Sequence, residues 1–192
     1  MFGEALQVAL QVIDILDDLG ISYHLGGSLA SSLHGVPRQT RDVDLVIDLS
    51  LSDIPRLVSR LEKDFYVDAD RARSAVQRRS SFNIIHLASA LKLDLFVRGT
   101  GGFDSAEFER SAPVSMGDPP RSIQVKSPED MLLRKMLWYR EGGEASDRQW
   151  SDILGILTTQ GMALDMSYVR QWVEELQILD LLERALEEAS RA

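Results

Sequence analysis

The sequence predicts an α+β fold that is followed by a C-terminal helical region. Two observations lead to this prediction. Up to about position 126, short segments in which apolar and polar residues alternate are mixed with segments of helical periodicity. From position 127 onward, every predicted element is a helix. We therefore predict an α/β core over residues 1–126 and a helical region over residues 127–192. The whole chain of 192 residues is long enough to bury a core without disulfides or metals.

The first part of the chain alternates between predicted helices and strands. Leu6, Leu10, Ile13 and Leu16 recur at helical spacing, and Gly20 ends that first helix. A later helix is expected to begin after Ser52 or Asp53, residues that favour the N-cap position. The predicted helices are 4–19, 28–34, 53–64 and 104–110, and the predicted strands are 21–26, 42–49, 66–68, 81–87, 91–97 and 123–126.

The second part shows helical periodicity only. Pro128 stands where the first of its helices begins, a position at which proline is well tolerated because its missing N–H would have no partner there. The predicted helices are 128–140, 146–159, 167–176 and 179–190. We find no internal repeat and no long linker, so one domain with a helical extension is the simplest organisation.

Composition excludes several classes of protein. The chain has no cysteine, which rules out disulfides and thiolate metal sites. Its net charge of −9 argues against a protein that coats nucleic acid, since phosphate neutralisation needs clustered positive charge. The apolar N-terminus carries acidic residues and lacks a basic segment, so it is interpreted as an amphipathic helix rather than a signal peptide. No apolar stretch approaches the ~20 residues of a membrane span, and we expect a cytoplasmic protein.

Asp42 and Asp44 lie one residue apart in a segment that otherwise has the pattern of a buried strand. In a strand, alternate side chains share a face, so the two carboxylates would lie opposite the apolar set of Val43, Leu45 and Ile47. They would be separated by roughly 6–7 Å along the strand. Two neighbouring carboxylates without a cation repel each other. A divalent cation such as Mg²⁺, which prefers oxygen ligands, would remove this repulsion.

Two further features strengthen this interpretation. Asp94 lies in the segment 91–97, which alternates in the same way and has its own apolar face. Gly26, Gly27 and Ser28 precede a predicted helix, where glycine lets the backbone approach a ligand and free N–H groups attract an anion. Together these residues indicate three carboxylates and a phosphate-binding helix start.

This combination resembles the nucleotidyltransferase superfamily related to polymerase beta. The matching motifs are Gly27-Ser28, then Asp42-Val43-Asp44-Leu45, then Asp94 on a later strand. The segment from Arg38 to Leu45, together with Ser127-Pro128-Glu129-Asp130, Lys135 and the stretch 146–153, is most similar to the AbiEii-type branch, whose members include toxins of toxin–antitoxin pairs. The resemblance covers roughly positions 20–160 and implies a nucleotidyltransferase-like mixed β-sheet packed with helices.

The resemblance also implies an activity: Mg²⁺-dependent transfer of a nucleoside monophosphate from a nucleoside triphosphate to an acceptor hydroxyl, with Mn²⁺ as an alternative ion. Asp42, Asp44 and Asp94 would be the catalytic, metal-binding residues. The nucleotide would be held by Gly26, Gly27, Ser28, Arg38, Thr40 and Lys135. The acceptor is left open between RNA, a protein side chain and a small molecule, and a toxin would also have a cognate antitoxin or other partner protein.

Several alternatives stay open at this point. The chain could be a non-catalytic nucleotidyltransferase-like module that binds a nucleotide or a partner, acting as antitoxin or regulator. Lys135 either neutralises phosphate or is a solvated helix lysine, and Asp147 and Asp152 either orient it or cap a helix. The basic cluster formed by Arg71, Arg73, Arg78 and Arg79 either meets an acceptor nucleic acid or is a solvated loop paired with Asp68 and Asp70, the interpretation that we favour slightly.

Overall fold

The computed structural model describes residues 3–37, 40 and 42–191. The chain divides into two compact units. Unit one consists of the described residues within 1–29 and 39–126, and unit two of those within 30–38 and 127–192. One of the three divisions therefore lies at position 126, and another lies inside the short helix Gly27–His34.

Unit one contains a seven-stranded mixed sheet with helices, as the α+β prediction requires, and that prediction is confirmed. Its helices are α1 (Gly3–Leu19), the start of α2 (Gly27–His34), α3 (Ile54–Leu61), α4 (Ala69–Arg78) and α5 (Gly102–Glu109). Its strands are β1 (Tyr23–Leu25), β2 (Val43–Ile47), β3 (Phe65–Val67), β4 (Ser81–His86), β5 (Lys92–Val97), β6 (Ala112–Met116) and β7 (Arg121–Val125).

The strand order in the sheet is β3-β4-β5-β2-β1-β7-β6. Two neighbouring pairs, β2 with β5 and β1 with β7, run parallel, and the others run antiparallel. The parallel pairing brings β2 against β5, a strand distant in sequence, because a parallel neighbour needs a long crossover connection. This pairing positions the acidic residues described below.

The predicted alternation in β2 and β5 is confirmed. Val43, Leu45 and Ile47 are completely buried, as are Leu93 and Leu95, whereas Asp44 and Asp94 on the alternate positions are half-buried. One face of these two strands thus forms core, and the other face carries polar side chains.

The interpretation of residues 71–79 as a solvated loop is wrong, because residues 69–78 form helix α4. Asp68 is its N-cap and accepts hydrogen bonds from the backbone N–H groups of Asp70 and Arg71. The small apolar residues Ala72, Ala75 and Val76 form a narrow buried stripe. Such a stripe of small residues among many arginines gives only a weak helical periodicity. The predicted pairing of arginines with Asp68 and Asp70 does occur, through Arg71 and Arg73 respectively.

Other differences concern the ends of elements and one strand. Strand β6 was not predicted, because this exposed edge strand contains Pro113 and acquires its conformation by pairing with β7. Strand β2 begins only at Val43, so Asp42 and Thr40 precede it. Asp53 stands at the N-cap of α3 without a capping hydrogen bond, since its carboxylate accepts from the backbone N of Ser50 at 3.1 Å instead.

Unit two is helical, as predicted. It contains α6 (Pro128–Glu141), α7 (Asp147–Gln160), a short 3₁₀ turn (Gly161–Ala163), α8 (Met166–Glu175) and α9 (Leu179–Ala189), together with the end of α2. Each predicted helix matches an observed one to within about two residues, the usual uncertainty of helix ends. Among the described residues, no helix is long and apolar enough to cross a membrane.

Candidate functional site

The centre of the candidate site is the pairing of Asp44 with Asp94. The two residues are register partners on the parallel strands β2 and β5. Neighbouring strands lie about 4.8 Å apart, and both side chains leave the sheet on the face opposite the buried core. Asp42 immediately precedes β2 and is exposed. The fold therefore places two carboxylates side by side, with a third at the start of one strand.

The beginning of α2 lies directly against Asp44. Gly27 has a φ of +55°, and a Cβ atom built on it would lie 1.7 Å from Asp44 Oδ2, so no other residue fits there without displacing the carboxylate. The backbone N–H of Gly26 donates to the carbonyl oxygen of Asp44 at 2.9 Å. Ser28 is the second residue of the helix. Because the first N–H groups of a helix have no partner within it, this junction can bind an anion beside the carboxylates.

Lys92 lies among the carboxylates, and sequence analysis assigned it no role. Its Nζ is 2.8 Å from Asp94 Oδ2. The hydrogen bond to Asp94 raises the pKa of Lys92 above its ordinary value, and the charges of Asp94, Asp42 and Asp44 act in the same direction, while desolvation opposes them. The ammonium is thus held in its charged form by the whole acidic set.

The acidic set has the donor chemistry that a magnesium ion requires, because Mg²⁺ is bound by carboxylate oxygens and keeps waters and phosphates in its remaining positions. Among the described residues, however, no three histidine, aspartate or glutamate side chains converge closely enough to hold a metal as they stand. A cation bound to Asp94 Oδ2 would take the place of the Lys92 ammonium.

A depression of about 380 Å³ opens beside Asp94. Asn83, the register partner of Asp94 on β4, lies in its wall. The polar lining is completed by Ser80 and Ser81 at the start of β4 and by Arg71, Ser74 and Arg78 from α4. These residues were not predicted to belong to one site, although the spacing of 71, 74 and 78 is typical of one helical face.

The remaining predicted nucleotide-binding residues have different positions. Thr40 is close to the acidic set, and its Oγ1 accepts a hydrogen bond from the backbone N–H of Asp42 at 3.1 Å. Arg38 and Arg41 lie outside the described residues. Lys135 belongs to unit two, where its buried Nζ is 2.7 Å from the buried Oδ2 of Asp152. Asp152 therefore orients Lys135, and contact of Lys135 with phosphate stays a prediction.

A buried ion pair in unit one was also not predicted. Lys126 Nζ lies 2.8 Å from Glu107 Oε2, and both side chains are at least 95% buried. The Cε atom of Lys126 is 3.9 Å from the position that a Cβ on Gly26 would occupy. This lysine, which directly follows β7, thus supports the backbone next to the helix start.

The fold matches known proteins although the sequence does not. No protein-family model matches the chain, and no curated protein matches it. An antigenic nucleotidyltransferase-like protein from Paracoccidioides brasiliensis is similar in structure, with a TM-score of 0.57, 18% identity and coverage of 97% of this chain and 94% of that one.

Two antibiotic-related proteins show the same likeness. The antibiotic-resistance factor ANT(2'')-Ia gives a TM-score of 0.59 at 13% identity, covering 98% of this chain and 100% of that one. The lincosamide antibiotic adenylyltransferase LnuA, solved with lincomycin bound, gives 0.51 at 17% identity, covering 81% and 96%. The chain therefore has the fold of the nucleotidyltransferases.

Proposed function

We propose that this protein transfers a nucleoside monophosphate from a nucleoside triphosphate to an acceptor hydroxyl in the presence of Mg²⁺. The observation that carries the proposal is the register pairing of Asp44 with Asp94 on one face, directly beside the helix start at Gly27. Structural resemblance to nucleotidyltransferases supports the same reaction class.

In the proposed reaction, the acceptor oxygen attacks the α-phosphorus of the triphosphate. A new P–O bond forms, the bond from the α-phosphorus to the oxygen that bridges it to the β-phosphorus breaks, and pyrophosphate leaves with that oxygen. The acceptor proton passes to the carboxylate of Asp94. Catalysis of this kind depends mainly on positioning and on charge neutralisation, to which a bound Mg²⁺ ion contributes positive charge at the triphosphate.

The proposed roles divide among the carboxylates, the start of α2 and several basic or polar residues. Asp42 and Asp44 hold the ion, with Mn²⁺ as an alternative, and Asp94 completes the acidic set. The N–H groups at the start of α2 and the hydroxyl of Ser28 bind the phosphates that leave. Lys92 neutralises Asp94 until the cation binds. Arg38, Thr40 and Lys135 are the remaining proposed contacts to the nucleotide.

A small molecule is the acceptor that we favour over RNA or a protein side chain. The related structures ANT(2'')-Ia and LnuA are an antibiotic-resistance factor and a lincosamide adenylyltransferase, and the net charge of −9 disfavours a large polyanion. The sequence resemblance suggests a more specific alternative, a toxin of the AbiEii type that acts on RNA or protein and is neutralised by an antitoxin.

A second candidate function is a non-catalytic module that binds a nucleotide or a partner protein. The ion pair of Lys92 with Asp94 favours it, because this ammonium occupies an oxygen that catalysis would need. A catalytic protein must release this pair when Mg²⁺ and the nucleotide bind, whereas a binding module keeps it.

The test is transfer of label from each α-³²P-labelled triphosphate, with Mg²⁺, to lincomycin, to small metabolites and to the components of a cell extract. We expect Asp44→Asn to lower transfer by about a hundredfold or more, because the variant loses a carboxylate that would hold the Mg²⁺ ion whose charge neutralises the phosphates. Asp48→Asn is the matched control, since Asp48 follows the same strand but pairs with Arg98 at 3.2 Å. It should transfer label at nearly the wild-type rate.

Calorimetry of the same proteins with Mg²⁺ and each triphosphate separates the two candidate functions. Binding without transfer to any acceptor would favour the non-catalytic module. Absence of both binding and transfer would refute the transferase and the nucleotide-binding module. Equal transfer by wild type and Asp44→Asn would refute the catalytic assignment of the carboxylates.

A further inference from the structure

The depression beside Asp94 has an unusual charge for this acidic protein. Arg71, Ser74 and Arg78 follow one face of α4 and line the depression opposite Asn83 and Asp94. Two arginines therefore line a cavity whose one acidic wall residue, Asp94, is paired with Lys92. The depression carries net positive charge, whereas the chain as a whole has a net charge of −9.

The four arginines of this region do not act as one cluster. Arg73 Nη1 lies 2.7 Å from Asp70 Oδ1, and Arg79 Nη1 donates to the carbonyl oxygen of Arg98 at 3.3 Å. The other two, Arg71 and Arg78, line the depression. Only two of these four arginines therefore line the depression.

These two arginines keep donors available for a ligand. Arg71 contacts Asp68 only through Nε, at 3.5 Å, which leaves the two terminal nitrogens of its guanidinium. Arg78 forms no ion pair with any residue of the described ranges 3–37, 40 and 42–191. A planar guanidinium with free donors matches the paired oxygens of a phosphate or a carboxylate.

Resting on the function proposed above, we propose that this depression binds the acceptor, and that the acceptor is a small hydroxyl compound carrying a phosphate or carboxylate group. Arg71 and Arg78 bind the anionic group, and the hydroxyl lies at Asp94, where it attacks the α-phosphorus and gives up its proton as described above. Ser74, Ser81 and Asn83 supply hydrogen bonds to the rest of the molecule.

The size of the depression agrees with a small acceptor. Its volume of about 380 Å³ lies at the lower end of the roughly 300–1,000 Å³ that is typical of small-molecule sites. The arginines also orient the ligand, because an anionic group is attracted to α4 and not to the opposite wall, where Asp94 is paired with Lys92.

Calorimetry without nucleotide tests the binding part alone. The ligands are inorganic phosphate, glycerol 3-phosphate, glycerate and glycerol, and the proteins are wild type, Arg71→Gln, Arg78→Gln and the matched control Arg73→Gln from the same helix. We expect wild type to bind glycerol 3-phosphate or glycerate better than glycerol, and each depression variant to raise the Kd for the anion about tenfold, the effect of losing a charged hydrogen bond. Arg73→Gln should change it less than about twofold.

The transfer assay then uses the same acceptors with Mg²⁺ and the triphosphate that binds best. Arg78→Gln should raise the KM for the anionic acceptor with little change in kcat, because it removes binding energy rather than reacting groups. Preference for glycerol 3-phosphate over glycerate, or the reverse, identifies which anion the site accepts.

The outcomes distinguish the two proposals. If Arg73→Gln weakens anion binding as much as Arg78→Gln, or if glycerol binds as well as its anionic derivatives, the depression is not an anion site, even where transfer and the Asp44→Asn effect are observed. If the anions bind through Arg71 and Arg78 but label reaches no acceptor, the depression is an anion site and the proposed transfer fails.

Discussion

Glycine 27 shows how a single residue shapes the candidate site. Its φ of +55° lies in the left-handed region, and the absence of a side chain lets the carboxylate of Asp44 lie against the helix start. Two separate requirements thus meet at one position, a backbone conformation that favours glycine and a contact too close for any Cβ. Gly20 has a similar φ of +68° but has no atom within 4 Å of a built Cβ.

Alanine substitutions at these two glycines separate the two requirements. We expect Gly20→Ala to cost about 1–2 kcal/mol of unfolding free energy, the penalty of a left-handed non-glycine residue. Gly27→Ala should cost more, because it displaces the carboxylate of Asp44 as well, and it should also weaken binding of the Mg²⁺–triphosphate complex. Urea unfolding and calorimetry measure the two effects. Equal losses of stability and unchanged nucleotide binding would contradict the proposed packing of Gly27 on Asp44.

At the scale of elements, polar side chains at the start of α6 hold unit two together. Ser127 is the N-cap of α6, and its Oγ accepts from the backbone N–H of Asp130 at 3.1 Å. Asp130 Oδ1 accepts from the hydroxyl of Tyr168 at 2.6 Å, and Glu129 Oε1 accepts from the backbone N–H of Asp165 at 2.9 Å. The Ser-Pro-Glu-Asp segment thus joins the start of α6 to the start of α8.

The buried pair of Lys135 and Asp152 joins α6 to α7, and it predicts a strong coupling. Removing one partner, as in Lys135→Met or Asp152→Leu, takes away the ion-pair partner of the other buried charge and should cost about 3–5 kcal/mol. The double variant should cost clearly less than the sum of the two. Urea unfolding gives the coupling energy, and the exposed pair Arg73–Asp70, worth about 0–1 kcal/mol, is the reference. Additive losses would show that the two groups do not depend on each other.

At the scale of the whole molecule, the acidic net charge and the binding of triphosphates need to be reconciled. A chain with a net charge of −9 repels an anionic nucleotide at long range. Binding must therefore rely on local positive groups, which in unit one include the start of α2, Lys92 and the arginines of α4. The metal ion proposed for the carboxylates would add to this local charge.

Thermal unfolding of the whole protein tests whether Mg²⁺ replaces the Lys92 ammonium. Without metal, Lys92→Met should lower the Tm, because three carboxylates lose their neutralising partner. Addition of Mg²⁺ with a triphosphate should raise the Tm through binding to the native state, and by more in Lys92→Met than in wild type, since no ammonium competes. EDTA should reverse both increases.

Lys63→Met is the control for this experiment, because it removes the same charge from an exposed lysine outside the acidic set. Its metal-dependent change in Tm should equal that of wild type. If Lys92→Met also responded to Mg²⁺ exactly as wild type does, competition between the ammonium and the metal would be refuted.

The faces of β2 and β5 and the helices of unit two could be predicted because they depend on local periodicity. Alternation decides which side of a strand Asp44 occupies, whatever strand lies next to it, and helical spacing decides which residues of α9 are buried. Helix α4 escaped prediction because its buried stripe consists of small residues, and β6 because its strand conformation depends on pairing with β7.

Periodicity determines the face on which a side chain lies, but it carries no information about the neighbouring strand or the register. Long-range pairing places Asp44 opposite Asp94. Packing places Lys92 beside the carboxylates, and it brings Arg71 and Arg78 into one depression with Asp94. The local sequence therefore determined which acidic residues were available for a site. Only the tertiary structure decided which basic residues lie beside them, because contacts between residues distant in sequence stabilise one arrangement of the elements over the others.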